Sequence, residues 1–222
     1  MIEGTNLFPF YKPTDTCQIP GLQGILAGVF GVKKDGTFVE VGANDGIAYS
    51  NTYQLAELGW KGVCIEPVPH LFQKLFVNHI NHKNMTLVNM FVSSEAGEID
   101  MFEHDEMFTG DPEWLGKLNG RLAHKFITKA KTETLDVILN NAGIVPEFDL
   151  LVIDVEGHEL SVLSGFSIAY WHPKLVIIES CAYSENEMLH MHSDAIHFFF
   201  NDNWYDRIWA DKINSIYMLN LW

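Results

Sequence analysis

The chain has 222 residues, 47% hydrophobic and 19% charged, with a formal net charge of -15. Such a length and balance suit a single globular domain, residues 1–222, with a substantial core, and exclude a disordered chain. The acidic excess argues against a nucleic-acid partner and against an anionic membrane surface, whose phosphates it would repel; no apolar run approaches the roughly 20 residues of a membrane span.

Residues 1–20 are rich in proline, threonine and aromatics and are expected to wrap the surface, leading into a helix near 21–31 and completing an N-terminal arm over 1–35. The opening MIEGTNLFPFYKP lacks a basic stretch followed by an apolar core, so no signal peptide is expected. Gly36 turns the chain into an apolar strand over 37–41, which stops at Gly42. Gly46 follows four residues later, with Ala43, Asn44 and Asp45 between. Ser50 or Asn51 can cap a helix over about 51–58, and Gly59 stops it. A buried parallel strand, a tight glycine turn and a helix start commonly hold a nucleoside-bearing cofactor at the carboxyl end of a sheet. Glycine permits backbone conformations closed to other residues and lets a ligand approach the main chain.

A second strand, Val63–Glu66, ends at Pro67, and Pro69 suits the first turn of a helix over 69–80. A third strand is expected over 86–92, a turn over 93–98 and a short extra strand over 99–102. Residues 103–131, with Gly110, Pro112, Gly116 and Gly120 among aromatics and histidines, read as an insertion near the acceptor site holding one short helix. A helix over 134–141, a strand over 150–154, a helix over 157–164 and a strand over 175–179 follow. Ser184-x-x-Glu187 reads as a capping box for a helix to about Phe200, and 205–210 with 215–220 as an antiparallel hairpin. Strands alternating with helices indicate an α/β sheet whose ligands bind beyond the strands' carboxyl ends.

Four polar clusters fall at those ends: 42–46, Glu66, Asp154-Val155-Glu156-Gly157, and Glu179-Ser180. Glu66, 20 residues after Gly46, can accept both hydroxyls of a ribose; the plainer reading is a solvated strand-end carboxylate. Glu40 lies inside an apolar run, so it needs a partner: a cofactor ammonium, turn amides, or a structural Lys or Arg. The glycine spacing is GxxxG, not the GxGxxG of a nicotinamide site, which weakens that reading.

FVEVGANDG, LGWKGVCIEP, SSEAGEID, ETLD, LLVIDVEGHELSVLSGF and PKLVIIE, in that order, resemble the FkbM-type methyltransferases from about Phe38 to Glu179. The resemblance implies a Rossmann-like class I methyltransferase sheet of seven mostly parallel strands with an antiparallel C-terminal hairpin. It implies S-adenosylmethionine as cofactor and methyl transfer to a hydroxyl, often on a sugar or natural product. Carried over by position, Glu40, Gly42, Asn44, Asp45 and Gly46 line the methionine and ribose side. Ser50 and Thr52 lie near the cofactor carboxylate, at a helix start that favours an anion. Glu66 takes the ribose, Ser93 and Ser94 lie near the adenine, and Asp154 lies beside the amino group and methyl donor. Where family members carry an SQxGQD-like segment before the first strand, this chain has CQIPGLQG, with Gln18 and Gln23 but no acidic residue.

An alcohol is a poor nucleophile, so a base or a metal should assist. Asp154, Glu156, His158 and Glu179 are the candidates. Asp154 and Glu179 stand where metal-dependent catechol-type methyltransferases place acidic ligands, and would suit Mg2+ or Mn2+; without a metal, His158 can take the proton. His190, His192 and His197 lack a ligand spacing and are expected on the surface or a lid. Phe108, Trp114 and Phe126 can stack on a sugar or form an insertion core, and Tyr183 is a further acceptor-pocket candidate. Cys17, Cys64 and Cys181 are far apart with no CxxC pair, which suits small buried residues and a reducing, cytoplasmic setting. The leading function is therefore an S-adenosylmethionine-dependent O-methyltransferase acting on a carbohydrate or related small molecule. A nicotinamide oxidoreductase and a non-catalytic cofactor-binding module are the alternatives.

Overall fold

The computed structural model describes residues 10–104, 107–110, 125–181 and 187–220. An arm from Phe10 leads into α1 (Leu22–Phe30), then β1 (Thr37–Val41), α2 (Tyr53–Glu57), β2 (Lys61–Ile65), α3 (Pro69–Asn78) and β3 (Met85–Val88). Four strands follow: β4 (Phe91–Val92), β5 (Gly97–His104), β6 (Met107–Thr109) and β7 (Lys125–Glu133). The chain continues through α4 (Leu135–Asn141), β8 (Leu150–Ile153), α5 (Glu159–Ser164), α6 (Ile168–Trp171), β9 (Leu175–Glu179) and α7 (Glu187–Asp202) to β10 (Tyr205–Ala210) and β11 (Asn214–Leu219).

Seven strands form the main sheet in the order β10-β11-β9-β8-β1-β2-β3. The pairs from β9 to β3 are all parallel, and β11 runs antiparallel to both neighbours. Side chains alternate between the two faces. Val39, Val41, Val63, Ile65, Leu151, Ile153, Val176 and Ile178 share one core with α4, α5 and α7. Phe38, Cys64, Leu150, Val152, Leu175 and Ile177 share the other with Tyr11, Ile19, Leu22, Leu26, Leu55 and Trp60. Helices on both faces explain why these strands read as continuous apolar runs. They also leave the carboxyl ends of β1, β2, β8 and β9 as the open edge. The arm is therefore part of the core as well as a surface wrap.

Three expectations change. The strand over 86–92 is two strands in different sheets: β3 stays on the main sheet's edge, and β4 pairs with β7. The break falls at Asn89, whose side chain donates to the carbonyls of Glu66 and Pro67 at 2.8 and 3.0 Å. The described part of the insertion is sheet: β5 pairs with β6 and β7 antiparallel in the order β4-β7-β5-β6, and Gly97 begins a strand where a turn was expected. One short helix, α6, carries Trp171 into the core; its Nε1 donates to Asp136 Oδ1 at 2.8 Å. Trp114, Tyr183 and Ser184, and the side chain of Phe126, lie outside the described residues. Among the described residues the three cysteines are free thiols, and no helix is long and apolar enough to cross a membrane.

Candidate active site

The β1–α2 loop begins at Gly42, with φ 86°, and a Cβ there would stand 1.7 Å from the Asp154 carbonyl oxygen. Only glycine lets the ends of β1 and β8 approach so closely. Asn44 adopts φ 52°. Its N–H donates to Glu66 Oε2 at 2.9 Å, and its own Oδ1 accepts from Asp45 N at 2.7 Å. Asp45 Oδ1 accepts from the N–H groups of Ile47 and Ala48 at 2.9 and 2.8 Å, holding the loop from inside. Gly46 faces α3, where a Cβ would lie 2.6 Å from Leu75 and 2.7 Å from His79. Ser50 Oγ accepts from Thr52 N and Tyr53 N at 3.1 and 3.0 Å, so it occupies amides that begin α2.

Above this loop opens a cleft with about 900 Å³ of empty space, its solvent mouth included. Of the expected site residues, Glu40, Gly42, Asn44, Ser50, Glu66 and Asp154 line it. Asp45, Gly46, Thr52, Ser93, Ser94, His158 and Glu179 stand behind or beside its wall. Sequence reasoning had not assigned Asn51, Met90, Phe91 and Tyr49 to the wall, and Gln18, Glu156 and Phe108 also join it. Four carboxylates line the cleft (Glu40, Glu66, Asp154, Glu156), and among the described residues its lining includes no Lys, Arg or His.

Each carboxylate is held differently. Glu66 is buried, with Oε1 accepting from Val68 N at 2.8 Å and Oε2 from Asn44 N at 2.9 Å. Each oxygen keeps a lone pair for a ligand hydroxyl. Burial raises its pKa to about 7 against the pull of those two amides. Glu40 has no Lys or Arg partner among the described residues. Its Oε2 accepts from Thr52 Oγ1 at 2.7 Å and from the Cys64 thiol at 3.8 Å. Burial is the main cause that lifts it to about 7, with the Asp154 charge adding to it. The Thr52 hydroxyl is thus committed to Glu40.

Asp154 Oδ2 accepts from Gln18 Nε2 at 2.8 Å. Burial raises its pKa, opposed by hydrogen bonds from Gln18 and Glu179. Glu179 is raised well above the ordinary range, first by burial and then by Asp154, Glu156 and Glu159. Glu156 sits in the left-handed region at φ 53°. Thr109 Oγ1 of β6 donates to its carbonyl at 2.9 Å, and Glu159 Oε1 accepts from the flanking Val155 and Gly157 amides, each at 3.2 Å. The loop is gripped from both sides, and burial, Asp154 and Glu159 raise Glu156 to about 8.

The remaining candidates separate from this set. His158 Nε2 lies 3.0 Å from Ser93 Oγ, and its ring packs edge-on against Phe91. His192 is half-buried, 3.5 Å from Glu159 Oε2, instead of lying on the surface as expected. Phe108, Phe91, Met90, Val68 and Leu71 make an apolar end beside Glu66, nearer the cleft than Ser93 or Ser94. The expectation of Mg2+ or Mn2+ on Asp154 and Glu179 finds no support in the geometry. Among the described residues, no three His, Cys, Asp or Glu groups converge to hold an ion.

The Methyltransferase FkbM domain family model matches residues 40–206. No curated protein matches the chain in sequence. Among solved structures, a candidate caffeoyl-CoA O-methyltransferase from Staphylococcus aureus superposes with a TM-score of 0.51 at 12% identity, covering 91% of this chain and 85% of that one. A precorrin-6y C5,15-methyltransferase from Geobacter metallireducens aligns with a TM-score of 0.48 at 10% identity, covering 96% and 94%. The first of these shows the shared fold.

Proposed function

The chain belongs to the FkbM methyltransferase family, and we propose that it is an S-adenosylmethionine-dependent O-methyltransferase whose acceptor is a hydroxyl of a carbohydrate or related small polyol. The observation that carries this reading is the cleft wall: among the described residues, four carboxylates and no basic side chain, with Glu66 presenting two hydrogen-bonded oxygens at the tip of β2. Buried acids of this kind suit a ligand that brings cations and vicinal hydroxyls. A dinucleotide would instead bring a pyrophosphate dianion, which this wall repels.

When bound, S-adenosylmethionine supplies a methyl group already activated on a positive sulfur. The chain does the rest. Glu66 accepts the ribose hydroxyls, and the apolar end around Phe91 and Phe108 takes the adenine. Asp154, with Glu40 behind it, faces the ammonium. The surrounding walls exclude water and align the reacting atoms. Glu156 receives the acceptor's hydroxyl proton, because it lines the cleft and its raised proton affinity matches a base working near neutrality. His158, bonded to Ser93 off the wall, is the less direct route.

The negative wall also favours acceptors without phosphate, in line with a partner that is neither nucleic acid nor an anionic membrane. Calorimetry with S-adenosylhomocysteine and with NAD tests the cofactor; binding of NAD alone would sink the reading. An acceptor screen with methyl-labelled S-adenosylmethionine over sugars, nucleotide-sugars and polyketide alcohols tests the reaction. Cofactor binding with no turnover across that screen would favour a non-catalytic module.

A further inference from the structure

We propose that Gln18 is a positioning residue that holds the Asp154 carboxylate ready for the amino-acid end of the cofactor. This rests on the cofactor reading above. Gln18 lies 22 residues before the span that matches the family model, which begins at residue 40. It comes from the N-terminal arm, yet its side chain lines the cleft.

The geometry fixes which end of the amide faces Asp154. Gln18 Oε1 accepts from Asn51 Nδ2 at 3.3 Å and from Asn214 Nδ2 at 3.4 Å. Both asparagines are buried, one before α2 and the other at the start of β11. With its oxygen held by two donors, the amide nitrogen must point the other way, and it donates to Asp154 Oδ2 at 2.8 Å. The backbone under it is equally fixed, because Ile19 and Leu22 are buried in the core beside Trp60. The arm, the cofactor loop and the C-terminal hairpin thus meet at one side chain.

The chemistry of that side chain matters. A lone aspartate would rotate, and a rotating carboxylate spends part of its time away from the ligand. A Lys or Arg would stop the rotation but cancel the charge that a ligand ammonium needs. A neutral amide orients the anion and leaves its charge in place. Gln18 takes only one lone pair of Oδ2, and together with the bond from Glu179 it orients a carboxylate that still lines the cleft.

The test compares two ligands on the full chain by calorimetry. S-adenosylhomocysteine carries the amino-acid end; 5'-methylthioadenosine keeps adenine, ribose and thioether but lacks it. Gln18→Ala should weaken S-adenosylhomocysteine binding by about tenfold, and Gln18→Lys should weaken it more. Both variants should leave 5'-methylthioadenosine within about twofold of wild type. An equal loss for both ligands would mean a merely structural role and overturn the proposal, as would unchanged S-adenosylhomocysteine binding. If Gln18→Ala does not fold, Asn214→Ala frees the amide from one side. A selective loss for S-adenosylhomocysteine then supports the proposal, and no selectivity overturns it. Wild-type protein that binds neither ligand would overturn the cofactor reading itself. Wild-type binding of both, with a flat response in the variants, overturns this inference alone.

Discussion

Raising the pH from 6.5 to 8 should destabilise the ligand-free protein. Glu40, Glu66 and Glu159 are raised to about 7 and Glu156 to about 8, in each case mainly by burial. A carboxyl with a raised folded pKa keeps a proton that the unfolded chain has already released. The folded state then binds more protons, so stability falls as the pH climbs towards the folded value. Two groups act in the opposite sense at lower pH. His79 and His192 are lowered to about 4, chiefly by burial, so they make stability rise with pH between about 4 and 6.5. Above 6.5 the unfolded histidines lose their remaining protons, which offsets the fall by less than about 1 kcal/mol in total, and the carboxylates dominate. Integrated from pH 6.5 to 8, Glu40, Glu66 and Glu159 each lose roughly 1 kcal/mol and Glu156 up to roughly twice that, on the order of 4 kcal/mol together. For a chain of this size, that lowers Tm by about 10 °C. Differential scanning calorimetry at constant ionic strength, in half-unit pH steps, reads it directly. Glu40→Gln should flatten the slope, and saturating S-adenosylhomocysteine should do so too, because its ammonium favours the ionised wall. A Tm that is constant or rises between pH 6.5 and 8 would refute the account of an acidic cleft whose carboxyls are raised by burial.

Three further outcomes follow from single residues. Glu66→Ala should weaken S-adenosylhomocysteine and 5'-methylthioadenosine alike by more than about tenfold without unfolding the protein; unchanged affinity for either contradicts the ribose assignment. Glu156→Gln should slow single-turnover methyl transfer by about 100-fold or more while S-adenosylhomocysteine affinity stays within a few-fold; a comparable fall in His158→Ala with Glu156→Gln unaffected would move the base to His158. Gly42→Ala should cost about 3 kcal/mol or more, since its Cβ would overlap the Asp154 carbonyl at a φ of 86°. A variant that melts within about 2 °C of wild type would show that the two strand ends can separate.

The main sheet was legible because its strands are covered by helices on both faces. Runs such as Val63-Cys64-Ile65 and Leu150–Ile153 carry little polar interruption, and glycines or prolines bound them. Of the second sheet only the core of β5, over 99–102, was legible, because its two long strands are half-exposed and the other two span only two and three residues. Ile99 and Met101 alternate with Glu98 and Asp100, and Thr128 and Ala130 with Lys129 and Lys131. That period-two pattern was the available signal, masked by the glycines and aromatics of the neighbouring segment. In the site, the strand-end acids Glu40, Glu66 and Asp154 could be read from position along an α/β chain. Gln18 and Phe108 could not be placed on the wall in the same way, because each reaches the cleft through tertiary packing with no local periodicity to announce it. Asp45 and Gly46 illustrate the reverse. They belong to a cofactor-turn pattern, but Asp45 closes the loop on itself and Gly46 makes room for α3.

Two kinds of wall therefore meet at Asp154 and Glu156. The strand ends of the parallel sheet are rigid, because each is hydrogen-bonded on both sides and buried on both faces. The facing parts, the arm through Gln18 and the second sheet through Thr109, touch the site by a few side-chain bonds. Thr109 is itself fully buried, and its bond goes to the carbonyl of the one residue on the wall that combines a carboxyl with a left-handed backbone. The second sheet also supplies Phe91 and Phe108 to the apolar end beside Glu66, so a change in it would reach both ends of the cleft, the reacting end through the Glu156 peptide and the adenosine end through those two rings.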